Sequence, residues 1–215
     1  MGHPHWPLFD LEVRTPRLTL RYVDDEVAVD MVELAARGIH DRGWMPFSIP
    51  WTDAESPELE RNALQYYWRC RADTTTDGWD LPLAVLVDGT VVGASGIRGE
   101  NFPTMRQFES GSWLGREFQG HGLGKELRVA TLTLGFVGLM AEFATTAAWF
   151  DNVPSLGVTR SLGYTETASE RRLRVDHPDR ILLFEMSRAH FIEHVQRDDI
   201  TLHGVEGARD LLGLQ

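Results

Sequence analysis

One cysteine, Cys70, stands in 215 residues, so the chain closes no internal disulfide and offers no four-cysteine metal site. That scarcity points to a reducing compartment. Long unbroken apolar runs are missing too: the most apolar segment, LGFVGLMAEFATTAAWF, is interrupted by Glu142 and two threonines and does not make a bilayer span. The first residues, MGHPHWPLFDLE, hold no basic stretch leading into an apolar one and do not read as a secretory signal. A cytoplasmic protein is expected. Positive charge is also short, with 21 Lys and Arg against 32 Asp and Glu, a formal net charge of −11. This argues against nucleic acid or an anionic membrane as partner, since both are bound through neutralised phosphates. It suits a cationic acceptor such as an amine, and equally a surface that only confers solubility.

What is present is patterned. With 42% hydrophobic residues the chain can bury one substantial core. Arg17 to Val23 alternates as a half-buried strand, and Asp24 or Asp25 caps a helix with Val27, Met31, Leu34 and Ala35 on one face, ending at Gly38. An irregular aromatic segment, IHDRGWMPFSIPWTD, reads as a packed loop before a second helix from about Ser56 to Arg71. LPLAVLVDGTVVGASGI is a hairpin turned at Asp88-Gly89, and RQFESGSWLG adds a further strand. A helix is expected from about Leu123 to Glu142, then a buried strand at Phe143 to Phe150, a short helix ending at Gly163, and two last strands. Residues after about Arg188 read as a helical tail.

Between the strand ending near Leu114 and the helix starting near Gly122 lies REFQGHGLGKEL. Its glycines let backbone N–H groups converge where a helix dipole is positive, an anion site best suited to phosphate. A tight turn with Gly124 needed only for packing explains the same residues. A magnesium-nucleotide P-loop is excluded, because Gln119 stands where its first glycine belongs and Glu126 where its hydroxyl belongs. A dinucleotide fingerprint is excluded as well, since Gly120, Gly122 and Gly124 are spaced G-x-G-x-G.

Gln119, Gly122 and Gly124 match Q/R-x-x-G-x-G/A, which resembles the pyrophosphate loop of the GCN5-related N-acetyltransferases (GNATs). TPRLTLR, VVGASGI, GSWLG, Asn152-x-x-Ser155 and SLGY follow in the order of the branch that acetylates ribosomal-protein N-termini. HWPLFDL, MPFSIPWT, LPLAVLVDG and SGSWLG are similar to an actinobacterial subgroup that includes a mycobacterial succinyltransferase. The resemblance implies a mixed α/β fold with a mostly antiparallel sheet, flanked by helices and splayed between its fourth and fifth strands. It implies an extension at 1–12, an acyltransferase domain at 13–188 and the tail at 189–215. Acetyl-CoA or succinyl-CoA is the implied donor, without a metal, and a protein N-terminus, lysine or small amine the acceptor. Homo-oligomerisation is left open.

The resemblance also places the site. Coenzyme A would be held by Gln119, Gly120, His121, Gly122, Leu123 and Gly124, with Lys125 aiding at the phosphates. The backbone of Trp113, Leu114 and Gly115 would meet the acyl carbonyl. Ser155 would serve the leaving thiolate and Asn152 would position the coenzyme; as plain structure, they are a first-turn residue and a helix cap. Glu109 is a candidate base for the acceptor ammonium, and a partly buried carboxylate there would have a raised pKa; as plain structure it is a solvent-facing strand residue. His40, Asp41, Trp44, Met45 and Phe47 would line the acceptor cleft, although each aromatic also suits core packing. A succinyl carboxylate would need a cation such as Arg98, Arg106 or His40. Cys70 is expected in the core. The rival from another class is a coenzyme A-binding sensor module without turnover.

Overall fold

A computed structural model describes residues 3–214 of the chain. Its strands are β1 (Glu12–Arg14), β2 (Thr19–Tyr22), β3 (Gly78–Val87), β4 (Thr90–Glu100), β5 (Gln107–Leu114), β6 (Phe143–Trp149), β7 (Thr165–Arg174), β8 (His177–Ser187) and β9 (Thr201–His203). They form one sheet in the order β7-β8-β6-β5-β4-β3-β2-β1-β9, with β5–β6 its parallel junction. The helices are α1 (Asp25–Arg37), α2 (Glu58–Ala72), α3 (Phe102–Met105), α4 (Leu123–Thr133), α5 (Val153–Ser161), α6 (Arg188–His194) and α7 (Val205–Leu212). No helix among the described residues is long and apolar enough to cross a membrane.

Alternation along the strands sorts the core into two layers. Leu81, Leu83 and Val85 pack with α4 on one face, while Ala84 and Ala94 pack under α1 and α2 on the other. The β3–β4 hairpin turns at Asp88 and Gly89, at φ +47° and +82°, the left-handed pair that such a turn requires. Asp24 caps α1, its carboxylate accepting from the Val27 N–H at 2.8 Å, and Gly38 ends it at φ +117°. α2 starts at Glu58, two residues beyond Ser56, whose hydroxyl donates to the Glu60 carboxylate at 2.6 Å; no side chain caps the helix start.

Two expected elements differ. The helix from Leu123 does not continue regularly to Glu142: α4 gives way to a π-helical turn over Leu134–Gly138, closed by the Leu139 N–H on the Leu134 carbonyl at 2.8 Å. The Phe108 ring occupies the space beside Gly135, 2.2 Å from where a Cβ would stand, and the widened turn accommodates it. The segment 189–215 is not purely helical, because between α6 and α7 it contributes β9, which pairs with β1. Leu8 and Leu11 of the N-terminal segment and Ala208 and Leu212 of α7 are fully buried, so these two segments belong to the main core.

The sheet opens where β5 and β6 meet. They pair as strands only over Gln107–Glu109 and Phe143–Thr145; the Thr146 hydroxyl still reaches the Ser110 carbonyl, and beyond it no pairing joins Gly111–Leu114 to Ala147–Trp149. These are the strands expected to splay. They count as fifth and sixth because Glu12–Arg14 forms a separate strand before Thr19–Tyr22.

Candidate functional site

The glycine loop follows β5 directly and ends as the N-cap of α4. Gly120 and Gly122 lie at φ +78° and +73°, the left-handed region that favours glycine. No atom lies within 4 Å of a Cβ built on Gly120, so conformation and open space, not crowding, select that residue. Gly122 brings no side chain to cap α4, and the first N–H groups of that helix keep their positive potential for an external anion. Gly124 meets only ordinary contact with Val158, at 3.8 Å, so tight packing does not explain it. Gly115 differs, since a Cβ there would stand 2.6 Å from Leu34. Leu123 is buried and His121 and Lys125 are exposed, Lys125 reaching the Ser161 carbonyl at 3.4 Å. Gln119 spends its amide on the chain itself, donating to the carbonyls of Ile39 at 2.7 Å and Leu114 at 2.8 Å. It shapes the loop and ties it to the strand end.

A second support was not foreseen from the sequence. Glu126, 6% exposed, accepts from the Thr15 hydroxyl at 2.5 Å and from Arg17 Nε at 2.7 Å, and the Arg17 guanidinium continues to the carbonyls of His121 at 3.3 Å and Gly122 at 3.2 Å. Burial disfavours the Glu126 carboxylate, but the Thr15 and Arg17 hydrogen bonds outweigh it and hold its carboxyl below the usual range. The signal that could have revealed this was an acidic residue next to Leu127 at the start of a buried helix, where a charge needs a partner.

Along β5 the backbone alternates between β4 and the gap. The Gly115 N–H donates to the Val92 carbonyl, and the Trp113 carbonyl lies 2.3 Å from where a Cβ on Gly93 would stand, so both residues face β4. The carbonyls of Ser110 and Leu114 point the other way, to Thr146 at 3.0 Å and to Gln119. By that alternation the N–H groups of Ser112 and Leu114 look into the gap. This corrects the expectation for Trp113 and Gly115, whose backbone is engaged in the sheet.

On the opposite edge, the Asn152 side chain caps α5, accepting from the Ser155 N–H at 3.2 Å. Ser155 is half-buried, and its hydroxyl makes no side-chain hydrogen bond among the described residues. Glu109 occupies the last paired rung before the strands part, facing Thr145. It is exposed, the solvent-facing alternative, and shares a cleft of about 310 Å³ with Arg98, Gln107 and Thr145.

The aromatic loop forms a wall from α5 to β5. The Trp44 indole N–H donates to Asp151 at 2.8 Å; Phe47 packs on His40 and Trp51, and Trp51 lies 6.1 Å from Trp113. Met45 is buried, with its sulfur 3.7 Å from the Thr52 hydroxyl. His40 is hydrogen-bonded through both ring nitrogens, Nδ1 donating to the Asp41 carbonyl at 3.0 Å and Nε2 lying 2.7 Å from the Thr52 hydroxyl. Asp41 is exposed and pairs with Arg116 at 2.6 Å. Thus Trp44 and Phe47 are tied to the end of β6 and the turn after it, through Asp151 and the Trp149 indole N–H, whereas His40 and Asp41 bond within the loop and to Arg116. Cys70 is buried, and desolvation followed by the nearby Asp80 carboxylate pushes its thiol up to about 12. Among the described residues no group of three or more His, Cys, Asp or Glu side chains gathers to hold a metal.

The left-handed glycines, the uncapped helix start and the parted strands together fit an extended ligand with a phosphate group: a phosphate at the α4 N-terminus and a chain lying along β5. A family model described as an acetyltransferase (GNAT) domain matches residues 17–165. Among solved structures, RimL, a ribosomal L7/L12 α-N-protein acetyltransferase in complex with coenzyme A, is 14% identical, with 80% of this chain and 95% of that one covered at a TM-score of 0.64. A ribosomal-protein-S5-alanine acetyltransferase from Vibrio fischeri is 16% identical over 83% and 97%, at 0.63. A chimera of the spermidine N-acetyltransferase SpeG, from Vibrio cholerae and hSSAT, is 16% identical over 83% and 99%, at 0.65. At these identities the likeness is one of fold.

Proposed function

The chain belongs to the acetyltransferase (GNAT) family, and on that premise we propose that it moves an acyl group, acetyl foremost, from coenzyme A to a primary amine within a ternary complex. The observation that carries this reading is the meeting of the glycine loop with the parted ends of β5 and β6. Coenzyme A supplies an acyl thioester, already activated toward an amine. The N–H groups from Gly120 to Gly124, with Lys125 beside them, would hold its pyrophosphate. Those of Ser112 and Leu114 would polarise the acyl carbonyl from a fixed strand, without reorganising. Ser155 would donate a hydrogen bond to the departing sulfur, and Asn152 would keep the first turn of α5 in place for it. Glu109 would take the ammonium proton, directly or through one water. Neither this division of roles nor the buried Cys70 calls for a covalent enzyme intermediate.

The acceptor reading follows from relatives: RimL is described as acting on a ribosomal protein and SpeG on spermidine, and both classes present a primary amine. An acidic, cytoplasmic protein suits either. A second donor, succinyl-CoA, draws support from Arg98, a cation in the cleft beside Glu109, and from the actinobacterial resemblance. Free thiol should be released from acetyl- or succinyl-CoA when a panel of N-terminal peptides, lysine and polyamines is supplied. Tight coenzyme A binding with no thiol release across that panel would favour a sensor module instead.

A further inference from the structure

We propose that Arg174 is a positioning residue that clasps the acceptor wall to the turn carrying Asn152 and Ser155; the inference rests on the acyltransferase reading of the gap. Arg174 ends β7 and is 4% exposed, and a guanidinium so deeply buried must be paired. Its Nε donates to the Met45 carbonyl at 2.8 Å, inside the aromatic loop. Its Nη1 donates to both carboxylate oxygens of Asp151, at 2.9 and 3.0 Å, and to Asp179 at 2.8 Å. The guanidinium carbon stands 5.7 Å from the centre of the Trp44 ring and 5.1 Å from that of Trp149, within range of cation–π attraction to both. Three remote segments, Trp44–Phe47, Trp149–Asp151 and the β7–β8 hairpin, are thereby joined at one side chain.

Asp151 links the wall to α5. It receives Arg174 and the Trp44 indole N–H together, and it immediately precedes Asn152, which caps α5 over Ser155. The clasp therefore sets the distance between the wall that an acceptor amine would touch and the helix start that would serve the thiol. Residues 38–57 otherwise contain a single short helical turn, Trp51–Asp53, so side-chain anchors decide where the wall stands. The planar fork of arginine meets a carbonyl and two carboxylates at once, a geometry that lysine's point charge does not reproduce. The glycine loop is also held by Arg17 and Glu126, neither of which touches Arg174 or its partners. Loss of Arg174 should thus disturb acceptor binding and spare the coenzyme.

The test compares the parent chain with Arg174→Met and Arg174→Lys. Steady-state kinetics with the best amine of the panel, calorimetric coenzyme A affinity and hydrogen exchange of residues 39–55 and 116–124 are measured together. The expected result for Arg174→Met is an acceptor KM raised on the order of tenfold or more, with faster exchange at 39–55 only and coenzyme affinity within about twofold. Arg174→Lys should recover part of the exchange protection and less of the KM. If Arg174→Met does not fold, Trp44→Phe, which removes only the indole bond to Asp151, is expected to show the same pattern in weaker form. An unchanged KM despite loosened residues 39–55 overturns the positioning role, as does equal loosening at 116–124 with lost coenzyme affinity. Unchanged exchange at 39–55 overturns the clasp itself. A parent chain that acylates no amine overturns the acyltransferase reading and the kinetic role with it, an outcome distinct from failure of the clasp.

Discussion

Ser155 and Lys125 test the site side chain by side chain. Ser155 is half-buried in the first turn of α5, and Ser155→Ala removes a hydroxyl without touching the Asn152 cap on its backbone N–H. Turnover should fall on the order of a hundredfold with coenzyme A affinity unchanged, and full activity would remove Ser155 from the acid role. Lys125 is the only lysine in the sequence and is exposed at the start of α4. A lysine-directed reagent such as acetic anhydride therefore reports on one side chain. Coenzyme A at the loop should slow that labelling, measured by peptide mass spectrometry; an unaffected rate would place the phosphates elsewhere. Gln119, Gly122, Asn152 and Ser155 stand out in the sequence as candidates because their motifs are local spacings. Arg17 and Glu126 were not, since their contact spans 109 residues and only the folded chain brings them together.

At the scale of elements, strands and turns followed their patterns closely because alternation and the Asp88-Gly89 pair are local signals. The end of α4 escaped that logic. Glycines at 135 and 138 weaken the helix there, but the Phe108 ring arriving from β5 is what the widened turn accommodates. Gly135→Ala would press a methyl into that ring, and overpacking of this kind costs about 1–3 kcal/mol. Denaturant unfolding should show a lower midpoint with an unchanged slope; a stabilised variant would mean that helix propensity outweighs the clash. The tail was read as helical because β9 has only three residues, Thr201–His203, too short to display an alternation before β1 pairs with it.

For the molecule as a whole, the lowered carboxyls make acid the destabilising direction. Glu126 and Asp179 both titrate below their ordinary ranges, Asp179 chiefly through its Arg174 hydrogen bond. The stability they contribute is fully present above the unfolded values, about 4.3 for Glu and about 3.9 for Asp, and is lost as pH falls through the folded ones. The melting temperature should therefore drop below about pH 5, and Glu126→Gln should flatten part of that slope. The central claim is that the glycine loop and the parted strands seat an acyl-coenzyme A. Its most direct test is calorimetric titration of coenzyme A into the parent chain and into Gly122→Val, which forces a β-branched residue to φ +73° at the α4 N-terminus. The account predicts saturable one-to-one binding by the parent and affinity weakened at least about tenfold by the substitution, with melting temperature largely kept. Equal affinity in a folded Gly122→Val chain, or no binding by the parent, would contradict it.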